Sequence, residues 1–295
     1  MARGQLYPAM LTPMTAGGDA IDVSAVGPEV DFLLGHGADG VFVAGSTGEG
    51  FNLTVEERRL LLAAASRALG GRGRLLAHVG AQTTRDTVAL AADAAAQGAE
   101  GVAVIPPPYY PLDTRELTQH LVAAARAAAP VAFYIYCFAA RSGYPVSPEV
   151  VQRVGEAASN LAGLKVSDAP WTAIEGYFEL GIPVFVGNEP LIADGATKPT
   201  FAGSVSALAS VYPEATRALI DDPTPDRAAA VGRLRAGLSH GASLVAIGKA
   251  VLRSRGVPIN ADVRPPARTV DEAEGATAAA GVAETLRQAT AAVPA

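Results

Sequence analysis

The chain has 295 residues, 49% of them hydrophobic, enough to bury a large core in one big α/β domain or two smaller ones. With 23 basic against 29 acidic residues the net charge is −6, and no basic cluster stands out, which argues against nucleic acid or an anionic membrane surface as partner. No run approaches the roughly 20 apolar residues that span a bilayer, MARGQLYPAM lacks the apolar core of a signal peptide, and the single cysteine, Cys137, excludes an internal disulfide; the expectation is a cytoplasmic protein.

Eight short apolar runs read as strands: Leu6–Thr12, Gly40–Ala44, Leu75–Gly80, Gly101–Ile105, Val131–Tyr136, Ala162–Val166, Pro183–Val186 and Gly203–Ala207. Each is nearly all apolar rather than alternating, as parallel strands buried on both faces should be. Amphipathic helical stretches lie between them, among them Thr54–Leu69, Arg85–Ala96 and Arg115–Ala128. Thr54 with Glu57 three residues later is a capping box for the first of these. HGADGVFVAG at 36–45 and QGAEGVAVIP at 97–106 repeat one pattern of helix end, Gly-Ala-acid-Gly turn and buried strand, two βα units apart at about 30 residues each. The pattern predicts a (β/α)8 TIM barrel over residues 1–222. A doubly wound sheet is the competing fold, but no G-x-G-x-x-G turn follows the first strand. From residue 223 the pattern is helical only, at 226–239, 242–253 and 271–291, and predicts a C-terminal helical appendage over 223–295.

Such barrels carry their chemistry at the C-terminal strand ends. There stand Ser46 and Thr47 in GSTGEG, Gln82 and Thr83, Tyr109 and Tyr110 in PPYYP, Tyr136, Arg141, Lys165, and Gly187-Asn188-Glu189. Lys165 is the sharpest of these. It is one of only three lysines (with Lys198 and Lys249) and it ends a buried strand. A lysine at a strand tip can simply snorkel to solvent. In an apolar mouth, however, desolvation lowers its pKa, and the free amine can condense with a ketone to a Schiff base whose iminium stabilises a neighbouring carbanion. Arginine stays protonated and cannot do this. A Ser46-Thr47 turn between glycines can cradle a carboxylate with its N–H groups, and the Tyr136 phenol can relay protons. Taken singly these residues read as a βα turn, an aromatic core plug and a surface cation; their convergence points to a 2-oxo acid lyase.

With those residues assembled, the chain from about 6 to 214 resembles the dihydrodipicolinate synthase / N-acetylneuraminate lyase family of pyruvate-handling class I aldolases. GSTGEG resembles the family turn, implying that Ser46 and Thr47 hold the pyruvate carboxylate and that Ser46 joins the proton relay. PPYYP implies that Tyr110 reaches an adjoining subunit's site, YCFAARSG places the catalytic phenol at Tyr136, and GLK gives Lys165 as the Schiff-base residue. Arg141 resembles the arginine that grips a substrate carboxylate in the synthases, and Gly187 and Ser204 fall in the segments VGNEPLI and GSVSALASVYPE that adjoin the substrate. The resemblance implies a barrel with three C-terminal helices, no cofactor and no metal, small-molecule substrates (pyruvate or another 2-oxo acid, and an aldehyde), and a homo-oligomer, tetramer or dimer.

Five positions depart from the family pattern: Cys137 and Ala139 replace its Asn and Pro, Val166 an acid, Phe201 a glycine and Ser210 an asparagine. They are expected around the bound oxo acid, where they leave the second substrate open among a synthase, a lyase and a 2-keto-3-deoxy sugar acid aldolase. They also keep open an oxo-acid-binding protein on an altered barrel. A metal-dependent aldolase needs clustered ligands, and His36, His78, His120 and His240 are scattered; His78, inside strand 3, reads as a satisfied core histidine. A phosphate-binding isomerase needs a glycine nest after strands 7 and 8, for which Gly187 and Gly203 are too thin.

Overall fold

The computed structural model describes residues 3–238 and 244–291. Its elements run in the order β1 (Gln5–Pro8), α1 (Val23–Gly35), β2 (Gly40–Val43), α2 (Val55–Leu69), β3 (Arg74–His78), α3 (Thr84–Ala96), β4 (Gly101–Val104), α4 (Thr114–Ala128), β5 (Ala132–Cys137), the single turn α5 (Ala139–Ser142), α6 (Pro148–Ala157), β6 (Leu161–Val166), β7 (Val184–Val186), the short α7 (Ile192–Ala196), β8 (Phe201–Ser206) and α8 (Pro213–Asp221). Three further helices follow: α9 (Pro225–Gly237), α10 (Leu244–Ser254) and α11 (Glu272–Ala291).

All eight strands pair in parallel, each with its sequence neighbours, and β1 pairs with β8. The last gap is closed by Ala9, which bridges Phe42, and by Met10, whose N–H donates to Phe42 O at 3.0 Å. The result is the eight-stranded α/β barrel that the strand spacing predicts. The first strand is shorter than the apolar run Leu6–Thr12. Beyond Met10 the chain leaves the sheet, and the Thr12 hydroxyl donates instead to Gly48 O at 2.5 Å.

Side-chain alternation along each strand sorts residues into two cores. Tyr7, Ala9, Phe42, Leu76, Ala103, Ile105, Tyr136, Phe185 and Val205 fill the barrel interior. Their neighbours (Leu6, Val41, Val43, Val102, Val104, Cys137, Val166, Val186) face the helices. The capping box forms as expected, with Glu57 N–H donating to Thr54 Oγ1 at 3.1 Å and Thr54 N–H to Glu57 Oε2 at 2.8 Å. Asp113 and Glu116 make a second at the start of α4, which the sequence reading missed.

One unit departs from strand-then-helix. Between β6 and β7 the chain makes two 3₁₀ segments, Trp171–Ala173 and Glu175–Leu180, in place of an α-helix. At the other end, α9 packs on the Glu189–Leu191 turn after β7, and α10 and α11 pack on each other. The helical stretches expected at 226–239, 242–253 and 271–291 correspond to α9, α10 and α11, with residues 239, 242 and 243, and His240, outside the described residues. No described helix is long and apolar enough to cross a membrane.

Candidate active site

Lys165 and Tyr136 are register partners on adjacent strands β6 and β5, both pointing into the barrel near its C-terminal end. Lys165 is 5% exposed, and its Nζ sits 3.3 Å from the centre of the Tyr136 ring and 5.8 Å from that of Phe42. Its Nζ donates to Ser167 Oγ at 2.9 Å. No carboxylate pairs with it among the described residues. Burial therefore pushes its pKa below the ordinary lysine range, with Tyr136, Glu189 and Cys137 pulling partly back. The strand ends in a pocket and does not deliver its lysine to bulk water, so the snorkelling alternative does not describe this side chain.

A cavity of about 510 Å³ opens over the amine. Ser46, Thr47, Tyr136, Arg141, Lys165 and Gly187 all line it, together with Ser167, Asp168, Asn188 and Glu189. Gly187 is there for space: a Cβ would stand 2.1 Å from Ser167 Oγ and 3.2 Å from Lys165 Nζ. Asp168 caps the single turn α5, accepting from Ala139 N–H at 2.7 Å, and burial raises its pKa against that bond. Arg141, at the end of the same turn, is exposed at the mouth, its guanidinium 5.9 Å from the Phe138 ring.

The GSTGEG turn is tightly wound. Gly50 N–H donates to Gly45 O at 3.0 Å, and a Cβ at Gly50 would lie 1.8 Å from Ala44 O. Among the described residues the hydroxyls of Ser46 and Thr47 and the amides of Thr47 and Gly48 have no hydrogen-bond partner, so this edge of the cavity offers a row of donors. Glu49, the acid of the turn, points the other way.

Tyr110 and Ser204, expected in the site, stand apart from this cavity, as do Gln82, Thr83 and Tyr109. Tyr110 is 70% exposed and packs edge-on against Tyr109, itself 83% exposed, on the outside of the β4 loop. Ser204 lies on the outward face of β8, fully buried, its hydroxyl donating to Val186 O at 2.7 Å. The five departures do not cluster at the cavity either, which corrects the expectation that they surround the ligand. Cys137 and Val166 follow Tyr136 and Lys165 by one residue and so face the helix layer. Phe201 opens β8 at the far end of the barrel, Ser210 donates its hydroxyl to Ala9 O at 2.5 Å, and Ala139 serves as the Asp168 partner.

Arg235 went unnoticed in the sequence, and Glu189 stood there only as a strand-end residue. Glu189 is 2% exposed; its Oε1 accepts from Ser206 Oγ and Leu208 N–H, and its Oε2 stands 3.3 Å from Arg235 Nε. Arg235, on α9, also lines the cavity, as do Leu244 and Val245 at the start of α10. A helix that reads as surface in the sequence thus forms one wall. His78 is a satisfied core histidine: Nδ1 hydrogen-bonds Ala44 O at 3.0 Å, and Nε2 accepts from Ile105 N–H. Burial and the nearby Arg58 hold it neutral, well below its usual pKa. Both ring nitrogens are engaged, so it is not a metal ligand.

Residues 2–285 match the Dihydrodipicolinate synthetase family. The chain belongs to this family. As a dihydrodipicolinate synthetase family member it is a lyase of that group. It is 34% identical over 290 residues, 95% of this chain and 93% of the relative, to an uncharacterized DapA-like lyase of Halobacterium salinarum. It is 33% identical to 4-hydroxy-tetrahydrodipicolinate synthase 1 of Streptomyces coelicolor, covering 91% and 89% of the two chains. An N-acetylneuraminate lyase of Rhizobium meliloti is 35% identical over a shorter stretch, 58% of this chain and 56% of that one. Among solved structures, a prophage protein of the dihydrodipicolinic acid synthase family from E. coli K12, in complex with pyruvate, superposes with a TM-score of 0.89 at 22% identity, covering 97% and 99%. A Ruminococcus gnavus sialic acid aldolase gives a TM-score of 0.88 at 22% identity, covering 97% and 99%. These two likenesses establish the shared barrel.

Proposed function

We propose that this family member forms a Schiff base between Lys165 and pyruvate or a related 2-oxo acid, and then makes or breaks a carbon–carbon bond with an aldehyde partner. One observation carries the reading: a buried lysine amine without a carboxylate partner, against a phenol ring, on the floor of a 510 Å³ cavity edged by the Ser46-Thr47 turn. The unpartnered hydroxyls and amides of that turn would hold the substrate carboxylate. The neutral amine attacks the keto carbon, forming the C–N bond, and the keto oxygen leaves as water after taking up protons relayed by Tyr136 and Ser46. Loss of a proton from the adjacent carbon gives an enamine, which adds to the aldehyde; the reverse sequence cleaves. Arg141, at the mouth, suits an acidic partner. The paired exposed phenols of Tyr109 and Tyr110 support a homo-oligomer, tetramer or dimer, in which Tyr110 enters a neighbour's relay. Since none of the five departures lines the cavity, nothing in the site favours the binding-protein alternative.

Borohydride reduction in the presence of pyruvate tests this directly. One pyruvate-derived adduct is expected on the peptide bearing Lys165; an adduct on Lys198 or Lys249 instead, or none, overturns the assignment. A panel of aldehydes and 2-keto-3-deoxy acids, read by pyruvate consumed or released, then selects the partner.

A further inference from the structure

The second buried lysine has no part in that chemistry and lies 0% exposed under the turn that edges the cavity. Lys249, in the middle of α10, donates from Nζ to Glu49 Oε1 at 2.7 Å and to Asp262 O at 2.6 Å. The other oxygen of Glu49 accepts from Arg264 N–H at 2.8 Å. Glu49 adopts a left-handed backbone, φ +57°, which is costly for a residue with a side chain. That conformation sends its carboxylate inward, away from the cavity, while Ser46 and Thr47 face it. Ser46 and Thr47 themselves make no side-chain bond to the barrel among the described residues, and Ser46 is tied only through its carbonyl, which accepts from Glu49 N–H at 3.3 Å. The turn is also pinned by Gly50 N–H to Gly45 O and by the Thr12 hydroxyl to Gly48 O, but among the described residues it is through the Glu49 carboxylate that α10 bears on these donors. The same helix lays Leu244 and Val245 on the cavity wall.

We infer that Lys249 is a positioning residue for the carboxylate-binding turn: through Glu49 it sets where the Ser46-Thr47 donors stand. The inference rests on the Schiff-base reading above. A buried lysine whose partner is removed, or a buried glutamate left alone, is costly, so Lys249→Met by itself can unfold the chain. Lys249→Met paired with Glu49→Gln removes both charges and keeps the volumes, and it carries the test where the single variant does not fold.

The readout is the rate of borohydride trapping at Lys165 with pyruvate, divided by the rate with pyruvamide, its uncharged isostere. Misplacing the turn weakens the grip on the carboxylate alone, so both variants should lower this ratio by about 5-fold or more, on the order of one charge-assisted contact. General loosening of the fold slows both substrates equally and leaves the ratio where it was. A drop smaller than about 5-fold in a folded variant overturns the role of Lys249, and so does an unmutated protein that traps both compounds equally. An unmutated protein that traps no pyruvate at Lys165 overturns the function proposed above and this inference with it; a ratio in the folded double variant that stays within about 5-fold of the unmutated protein's overturns this inference alone.

Discussion

Two lysines are buried in this barrel, and they differ in what meets the nitrogen. Lys165 faces a phenol ring at 3.3 Å and a serine hydroxyl at 2.9 Å. Lys249 faces a carboxylate at 2.7 Å and a backbone carbonyl at 2.6 Å. Burial lowers the pKa of both, but Glu49 supports the ammonium of Lys249 directly, whereas nothing of opposite charge touches Lys165. A paired ammonium is a strut; an unpaired amine is a nucleophile. The same residue type under the same burial thus stands as a paired strut in one place and, on the proposed function, as the nucleophile in the other, and the difference lies in the partner.

The widest separation between the two should appear on replacing each by methionine. Lys165→Met is expected to abolish adduct formation and cut turnover by roughly 10⁴-fold or more, with the unfolding midpoint unchanged or raised because no ion pair is lost. Lys249→Met breaks a buried pair and should cost about 3–5 kcal/mol in denaturant unfolding. Equal losses of stability in the two variants would erase the distinction. Next in size, Tyr136→Phe should keep the fold and lower turnover by about 10²-fold if the phenol relays protons; unchanged turnover removes it from the reaction.

The comparison also has a pH signature. The amine of Lys165 reacts only when deprotonated, and its pKa is lowered, so the trapping rate should rise with pH and level off through a midpoint below the ordinary lysine value of 10.5. A midpoint at or above that value would mean the amine behaves as a solvated one. Smaller again is Arg141→Ala, which leaves the amine alone. It should raise KM for an acidic partner about 10-fold and leave pyruvate trapping unchanged; equal kinetics would point to a neutral aldehyde.

Much of this was legible in the sequence for a local reason. Strands buried on both faces are continuous apolar runs, so the eight could be read directly, and Lys165 stood out because a charge interrupts such a run. Tyr136 and the Ser46-Thr47 turn followed from their place at strand ends. The Lys249–Glu49 pair did not, because each half looks ordinary in its own segment and the two are 200 residues apart. Arg235 was hidden likewise: on α9 it reads as a solvated helix cation, and only the docking of that helix on the Glu189–Leu191 turn brings it to the cavity. The α-helix missing between β6 and β7 had a visible signal, Ala169-Pro170 and Gly176 within a short span, that the repeat pattern overrode. Of the five departures, Cys137 and Val166 were misplaced because position along a strand was read without its face; one residue's shift turns a side chain from cavity to helix layer.

The smallest effect expected comes from two hydroxyls that repeat the contrast of the two lysines. Ser46 edges the cavity with its hydroxyl unbonded to protein, while the Ser204 hydroxyl already donates to Val186 O inside the sheet-helix layer. Removing Ser204 by Ser204→Ala strands one buried carbonyl and should cost about 1 kcal/mol of stability, with KM for the 2-oxo acid unchanged. Ser46→Ala should do the reverse, leaving stability near its starting value and raising KM by about 10-fold. A rise in KM for Ser204→Ala would return that residue to the substrate-binding role its place in the chain suggests. It would also show that a committed hydrogen bond on the outward face of β8 does not keep a side chain out of the chemistry.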